Sequence, residues 1–176
     1  MVEFFTRSEY IKLHFAESWN ELHHLLIMEE LGGDSVFLDR FVAQHIAFVY
    51  YWLVVALYIL SPATAYDLNM NVEQHAYDTY DGYLKDHEEE LRNLPAPKVA
   101  KEYYETGDLG LFDAFQWAPK KEDTDAVVAT GEHKRRPVIR TLYDVFWNIR
   151  EDEAEHASSM RKLRDIAVNR NVEEKR

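Results

Sequence analysis

Two pairs of residues constrain this chain more than any other feature. Glu21 and His24 stand three apart near its start, and Glu153 and His156 repeat the spacing near its end. On a helix, positions three apart lie one above the other on the same face. Such a carboxylate–imidazole pair on each of two helices, joined by single glutamates on two more, is the ligand pattern of carboxylate-bridged di-iron four-helix bundles. With 19 Glu and 8 His among 176 residues, about 0.9 such spacings arise by chance, so the pairs carry weight only through their setting.

A first helix is expected from Ser8, a suitable cap, to Leu31, where Gly32-Gly33 stops it. Tyr10, His14, Glu17, Glu21, His24, Leu25 and Met28 share one face. If that face is buried, its acids need partners. The alternative is that Glu17 and Glu21 are solvated and the helix buries Trp19, Leu22 and Leu26. A third helix, predicted from about Ala63 to Leu91, carries Glu73 as the one acid in a stripe of Tyr66, Asn69, Ala76, Tyr77, Tyr80 and Leu84. Its partner is a metal ion or, alternatively, a tyrosine hydroxyl. The last helix, predicted from Pro137 to about Val168, places Glu153 and His156 among Leu142, Phe146, Ile149, Ala157 and Met160. One acid interrupting an apolar stripe on each of three helices points to a shared cation, and Glu and His donors suit iron. Asn20 and Asp152 adjoin ligand candidates in sequence and are placed to orient them. Tyr80, two turns beyond Glu73, is positioned to pass an electron and a proton; a buried tyrosine with one hydrogen bond is the plainer reading.

Between these lies a second helix, capped by Asp34-Ser35 and containing Ile46–Leu60, 15 residues without a charge. That run covers roughly 22 Å, short of the ~30 Å of a bilayer's hydrocarbon core. Three readings stay open: a bundle-core helix, a helix lying in one membrane leaflet, and a span. Pro95-Ala96-Pro97 reads as a linker, Lys98–Thr106 as a short helix, and 108–116 as a further turn burying Phe112 and Phe115. Residues 117–137 read as a charged surface loop and 169–176 as a frayed tail, within a single domain spanning 1–176. No strand alternation stands out, so the expected class is all-α.

The absence of cysteine removes disulfide frameworks, thiolate zinc and iron–sulfur clusters. A net charge of −12 argues against a nucleic-acid partner. No phosphate-binding glycine loop, serine-hydrolase elbow or H-E-x-x-H zinc motif is present.

The stretch from His14 to Gly33 (HFAESWNELHHLLIMEELGG) resembles the alternative oxidases, in their plastid terminal (plastoquinol) oxidase branch. So do Glu73–Tyr80 (EQHAYDTY), Pro95-Ala96-Pro97, Gly107 to Phe112 (GDLGLF in sequence through Gly110-Leu111) and Arg150–His156 (REDEAEH). The resemblance implies a ferritin-like di-iron bundle with a membrane-contacting apolar helix. It implies a quinol oxidase that passes electrons from plastoquinol or a related quinol to dioxygen, giving water. It carries iron-ligand roles onto Glu21, His24, Glu73, Glu153 and His156, with the two imidazoles able to stand back from two iron ions. Tyr80 matches the family's tyrosine near the metals, and Ala76 and Thr79 match positions near the quinol. The implied protein is monotopic, often a homodimer, in a thylakoid or bacterial inner membrane. The family pattern also has two helices ahead of the first one here, a membrane helix and a bundle helix bearing another ligand Glu. The bundle is therefore expected to be N-terminally incomplete, and a catalytically inactive, membrane-associated helical protein is the alternative function. An iron-storage or peroxide-reducing di-iron bundle is a further option.

Overall fold

The computed structural model describes residues 7–107, 111 and 137–173, and every regular element among them is a helix. In order come α1 (Arg7–Glu30), α2 (Phe37–Leu60), α3 (Pro62–Asp86), α4 (Glu88–Asn93), α5 (Lys98–Lys101), a π-helical turn (Glu102–Thr106) and α6 (Leu142–Glu173). The one β-type pairing among the described residues is an isolated antiparallel bridge between Pro95 and Thr141. The expected loop at 117–136 and the turn around Phe112 and Phe115 lie outside the described residues, as does the end of the tail.

Local chemistry sets the helix ends. α1 closes in a Schellman arrangement: Gly33 N–H donates to the Met28 carbonyl at 2.8 Å and Gly32 N–H to that of Glu29 at 2.9 Å. This needs a left-handed residue, and Gly32 supplies it at φ 88°. Ser61 both ends α2 and caps α3, and Pro62 takes the first helical position, where its missing N–H costs nothing.

Three boundaries differ from expectation. Asp34-Ser35 does not cap α2: Val36 takes the cap position, in extended backbone, with no side-chain cap hydrogen bond. The third helix breaks at His87, leaving α4 as a separate short helix. The last helix starts at Leu142 rather than Pro137, because a cap forms at Thr141. The Asp144 carboxylate accepts from the backbone N–H groups of Arg140 and Thr141, both at 2.9 Å, and the Asp144 N–H returns to the Thr141 hydroxyl. Leu142 N–H meanwhile donates to the Leu94 carbonyl at 2.9 Å, tying the segment before α6 to the linker after α4. α6 then runs past Val168 to Glu173.

α3 and α6 lie antiparallel along each other. Ion pairs clamp both ends: Asp81–Arg150 at 2.8 Å and Asp67–Arg164 at 3.1 Å. Arg150 is buried and its guanidinium lies 3.8 Å over the Trp147 ring, so this clamp is partly desolvated. α1 crosses to meet both α6 and the α5 segment. Its last residue, Glu30, caps α5 across the fold by accepting from the Lys98 and Val99 N–H groups at 3.0 and 2.8 Å. The core fills the space between these elements, with Ile27, Leu91, Tyr104, Val145, Ile149 and Leu163 fully enclosed.

The inward face of α1 is built on Leu13, Ala16, Glu17, Asn20, His24 and Ile27, all buried. Leu22 and Leu26 are exposed, so the reading in which they fill the core and Glu17 is solvated is wrong. Leu25, expected inward, is 54% exposed. The face read for α6, from Leu142 to Met160, is buried at every position named.

α2 is not a core helix: none of its residues is buried. With 24 residues it is about 36 Å long, and its apolar window has a mean hydropathy of 1.7. It is long and apolar enough to cross a membrane by length and composition.

Removing the α6 cap tests this account. Asp144→Ala is expected to destabilise the chain by about 1–2 kcal/mol, read from denaturant midpoints, with Asp144→Asn milder. Equal midpoints for all three proteins would place the helix start elsewhere.

Candidate metal centre

Each expected ligand comes from a long helix held in the way just described. α1 delivers Glu21 and His24 from adjacent turns, α3 delivers Glu73, and α6 delivers Glu153 and His156. One donor atom from each of Glu21, Glu73, Glu153 and His156 lies within 4.8 Å of all the others. His156 Nδ1 stands 3.0 Å from Glu21 Oε1 and 3.8 Å from Glu73 Oε2. His24 borders the group: its Nδ1 is 3.3 Å from Glu153 Oε1 and 3.6 Å from Glu21 Oε1. Its Nε2 turns the other way, to Asp152 Oδ2 at 3.2 Å.

Asp152 is the hub behind the centre. Its Oδ2 also accepts from Asn20 Nδ2 at 3.0 Å and from the Tyr104 hydroxyl at 2.8 Å. Asn20 Nδ2 donates in addition to the Tyr103 hydroxyl at 2.6 Å. One carboxylate oxygen thus joins α1, the π-helical turn and α6, and all five side chains are buried. Asn20 and Asp152 were legible from sequence by adjacency. Tyr103 and Tyr104 were not: nothing in a short polar segment marks two tyrosines as inward until α1 and α6 are placed around them. The wider π turn brings consecutive residues 103 and 104 to the same interior, and such turns are frequent at functional sites.

Tyr80 is half-buried, packed 6.0 Å centroid to centroid from Phe146. Burial raises its hydroxyl pKa, and the charges of Glu153 and Glu21 add to this against His24, which places the phenol within electrostatic reach of the centre. Ala76 is half-buried on α3. Thr79 is exposed, with its hydroxyl donated to the His75 carbonyl at 2.8 Å.

Electrostatics state what the centre requires. Burial would strip the proton from His156, but Glu21 and Glu73 reverse this and raise it to about 10. Burial likewise works against a charged His24, and Asp152, Glu153 and Glu21 overcome it, holding that imidazole well above its ordinary value. Burial raises Glu153 to about 7, with Glu21 and Glu73 adding and His24 opposing. Burial also works to raise Glu21, whose side chain is 47% exposed, but the facing imidazoles of His156 and His24 hold it far below the carboxylate range. Without metal, protons on two imidazoles therefore supply the positive charge that three convergent glutamates demand.

The donor set suits divalent iron. Two donors about 2.1 Å from one ion stand about 3.0 Å apart at a right angle and about 3.4 Å apart at a tetrahedral one. The Glu21–His156 and His24–Glu153 separations of 3.0 and 3.3 Å match. His24 Nδ1 is buried and faces both carboxylates at 3.3 and 3.6 Å without well-formed hydrogen-bond geometry, so its interaction with the cluster is chiefly one of charge. Carboxylates with imidazoles, and no thiolate, favour iron or manganese over softer metals.

The alternative oxidase family model matches residues 1–165. The chain is 56% identical over 160 residues to "Ubiquinol oxidase 4, chloroplastic/chromoplastic" of Arabidopsis thaliana, an alignment covering 91% of this chain and 42% of that protein. It is 28% identical over 160 residues to "Ubiquinol oxidase, mitochondrial" of Mangifera indica, covering 90% and 41%. A third relative, "Ubiquinol oxidase 2, mitochondrial" of Glycine max, is 34% identical over 96 residues, or 54% and 28%. The chain spans less than half the length of each of these relatives. No solved structure gives a match.

The raised pKa values set a pH dependence for the metal-free protein. His156 binds its proton more tightly folded, at about 10, than unfolded, near 6.5, so its contribution is complete below 6.5 and lost as pH rises toward 10. Glu153, raised to about 7, has the same sign at lower pH. The thermal midpoint in chelator is expected to fall steadily between pH 6.5 and 10. Divalent iron, which displaces those protons, should flatten or reverse that slope. A midpoint with no pH dependence in chelator would contradict the proton-compensated cluster.

Proposed function

Because the chain belongs to the alternative oxidase family, we propose that it serves as a quinol:oxygen oxidoreductase, oxidising plastoquinol or a related quinol and reducing dioxygen to water. The observation that carries this reading is the gathering of Glu21, Glu73, Glu153 and His156 from three helices within 4.8 Å. Two quinols release four electrons and four protons, which match the reduction of one dioxygen to two waters. Glu21, Glu73, Glu153 and His156 would hold two iron ions, with His24 as a fifth donor or a close charge partner. Iron bound there supplies the one-electron and dioxygen chemistry.

The remaining residues act around it. Asp152 fixes His24 in one orientation through Nε2, and Asn20 and Tyr104 fix Asp152 in turn. Tyr80, on the α3 face beside the centre, is placed to pass an electron and a proton. Ala76 and Thr79, on neighbouring turns of the same helix, are proposed to line the quinol's approach. Thr79 would hold the quinol by its methyl group or as an acceptor, because its hydroxyl proton is given to His75.

The exposed apolar surface of α2 fits association with a membrane, where an apolar quinol is dissolved. We place it in a single leaflet. The chloroplastic relative supports a thylakoid membrane over a bacterial inner one. A homodimer would cover Ile11, Phe15, Leu22 and Leu25 of α1, which are otherwise open.

Anaerobic loading with ferrous iron, followed by metal analysis and oxygen uptake with a short-chain plastoquinol, tests the proposal. About two irons per chain and quinol-dependent oxygen consumption are expected. No bound iron would favour the catalytically inactive alternative. Glu73→Ala is expected to abolish oxygen uptake and lower the iron content while leaving the helical circular dichroism intact; undiminished quinol oxidation would remove Glu73 from the ligand set. Val49→Lys with Leu53→Lys is expected to release the protein from liposomes. Retained flotation of that variant would place the membrane contact elsewhere than α2.

A further inference from the structure

One acid near the centre is left over. Glu17 lies one turn before Glu21 on the same face of α1, it is 6% exposed, and neither of its carboxylate oxygens makes a hydrogen bond. A buried carboxylate in that condition is costly and calls for a cation. The nearest charged partner is His14, whose Nδ1 stands 3.3 Å from Glu17 Oε2.

His14 is arranged as a ligand would be. Its other nitrogen, Nε2, meets the Tyr66 hydroxyl at 3.4 Å, and the two rings stack within 8° of parallel. An imidazole that gives its Nε2 proton to an outer partner presents the Nδ1 lone pair, with ring orientation fixed. The 3.3 Å between Nδ1 and Oε2 matches the separation of two donors on one ion, about 3.0–3.4 Å. The His14 side chain is 36% exposed while that of Glu17 is 8% exposed, so the pair runs from the surface inward. At its inner end the Glu17 charge acts on His156, a donor of the central cluster.

We propose that His14 and Glu17 form a separate divalent-cation site, a loading position from which ferrous iron passes to the buried centre. The role in loading rests on the di-iron reading above; the site itself does not. Two protein donors with water completing the shell bind an ion weakly, as a transfer position must. The class of ligand is a borderline divalent cation such as ferrous iron, manganese or cobalt, for which one imidazole and one carboxylate are suitable.

The test uses the full chain, stripped of metal and titrated anaerobically with cobalt(II), with bound ions counted by equilibrium dialysis. It is run on the natural chain and on one carrying Glu73→Gln and Glu153→Gln, which lacks central donors. Glu17→Gln is expected to remove one bound cobalt per chain in both backgrounds, with unchanged circular dichroism. His14→Gln, at a partly exposed position, is expected to do the same. Equal counts with and without the Glu17 carboxylate would overturn the site, including when the central ions bind normally. A Glu17-dependent ion with no central ions would support this site while refuting the di-iron reading. For the loading role, ferrous uptake by Glu17→Gln should slow several-fold and reach the same final central occupancy; an unchanged rate would overturn it.

Discussion

The structure depends on compensating carboxylates that converge inside a helical bundle. Glu21, Glu73 and Glu153 approach one another at a site that runs from the exposed Glu21 to the buried Glu153, and their mutual repulsion must be met by positive charge in the same space. His156 at 3.0 Å from Glu21 and His24 at 3.3 Å from Glu153 meet it. Because each imidazole sits on a different helix from the acid it faces, the compensation also holds α1 and α6 together. The same groups that would bind metal are thus part of the packing.

That arrangement has to be rigid, and the rigidity comes from outside the cluster. The Asp81–Arg150 and Asp67–Arg164 pairs fix the register of α3 against α6. A slip of one residue would rotate Glu73 and Glu153 by about 100° on their helices and turn them away from each other. Asp152 fixes α1 and the π-helical turn to α6 through one oxygen. Glu30 adds the last constraint by capping α5, which leads into the π-helical turn that brings Tyr104 to that oxygen and Tyr103 to the Asn20 amide. Stacking of Tyr103 on His23, 4.1 Å between ring centres, presses the turn against α1.

Sequence reasoning reached the elements that repeat with helical period and missed those set by tertiary contacts. The face of α6 and the convergence of Glu21, Glu73, Glu153 and His156 were legible because an acid in an apolar stripe is a local anomaly, visible without knowing the neighbours. The start of α6 was missed because Pro137 is a good first helical residue in isolation. The Thr141–Asp144 cap and the pairing of Leu142 with Leu94 outweigh it, and the second of these joins segments 48 residues apart. The inward rotation of α1 was partly misjudged: Leu25 looks like core, yet Asn20 occupies the interior, where Asp152 and Tyr103 accept from its amide nitrogen. Burial of a polar residue in place of a leucine cannot be inferred until its partners are known.

The same bookkeeping of polar atoms explains how α2 can remain uncovered. A helix entering a leaflet has its backbone satisfied internally, so the difficulty lies in polar side chains. The ionisable groups and the amide of α2, Asp39, Arg40, Gln44 and His45, lie in its first turns and are exposed, and beyond them two of its tyrosines meet α3. The Tyr50 hydroxyl donates to Asn69 Oδ1 at 2.5 Å, and Asn69 Nδ2 donates to the Tyr58 hydroxyl at 3.4 Å, so one α3 amide serves both tyrosines. His45 Nδ1 lies 2.7 Å from the Phe41 carbonyl one turn back. What remains outward is Ile46, Phe48, Val49, Leu53, Ile59 and Leu60, together with Tyr51 and Trp52, whose amphipathic rings suit the headgroup boundary. Asn69 lies on α3 one turn before Glu73, so the residue that quiets the polar atoms of α2 is on the helix that supplies a central carboxylate. The apolar helix and the carboxylate cluster are therefore joined through α3, and under the proposed function an apolar substrate arriving along α2 would meet the helix that bears Glu73, Ala76, Thr79 and Tyr80.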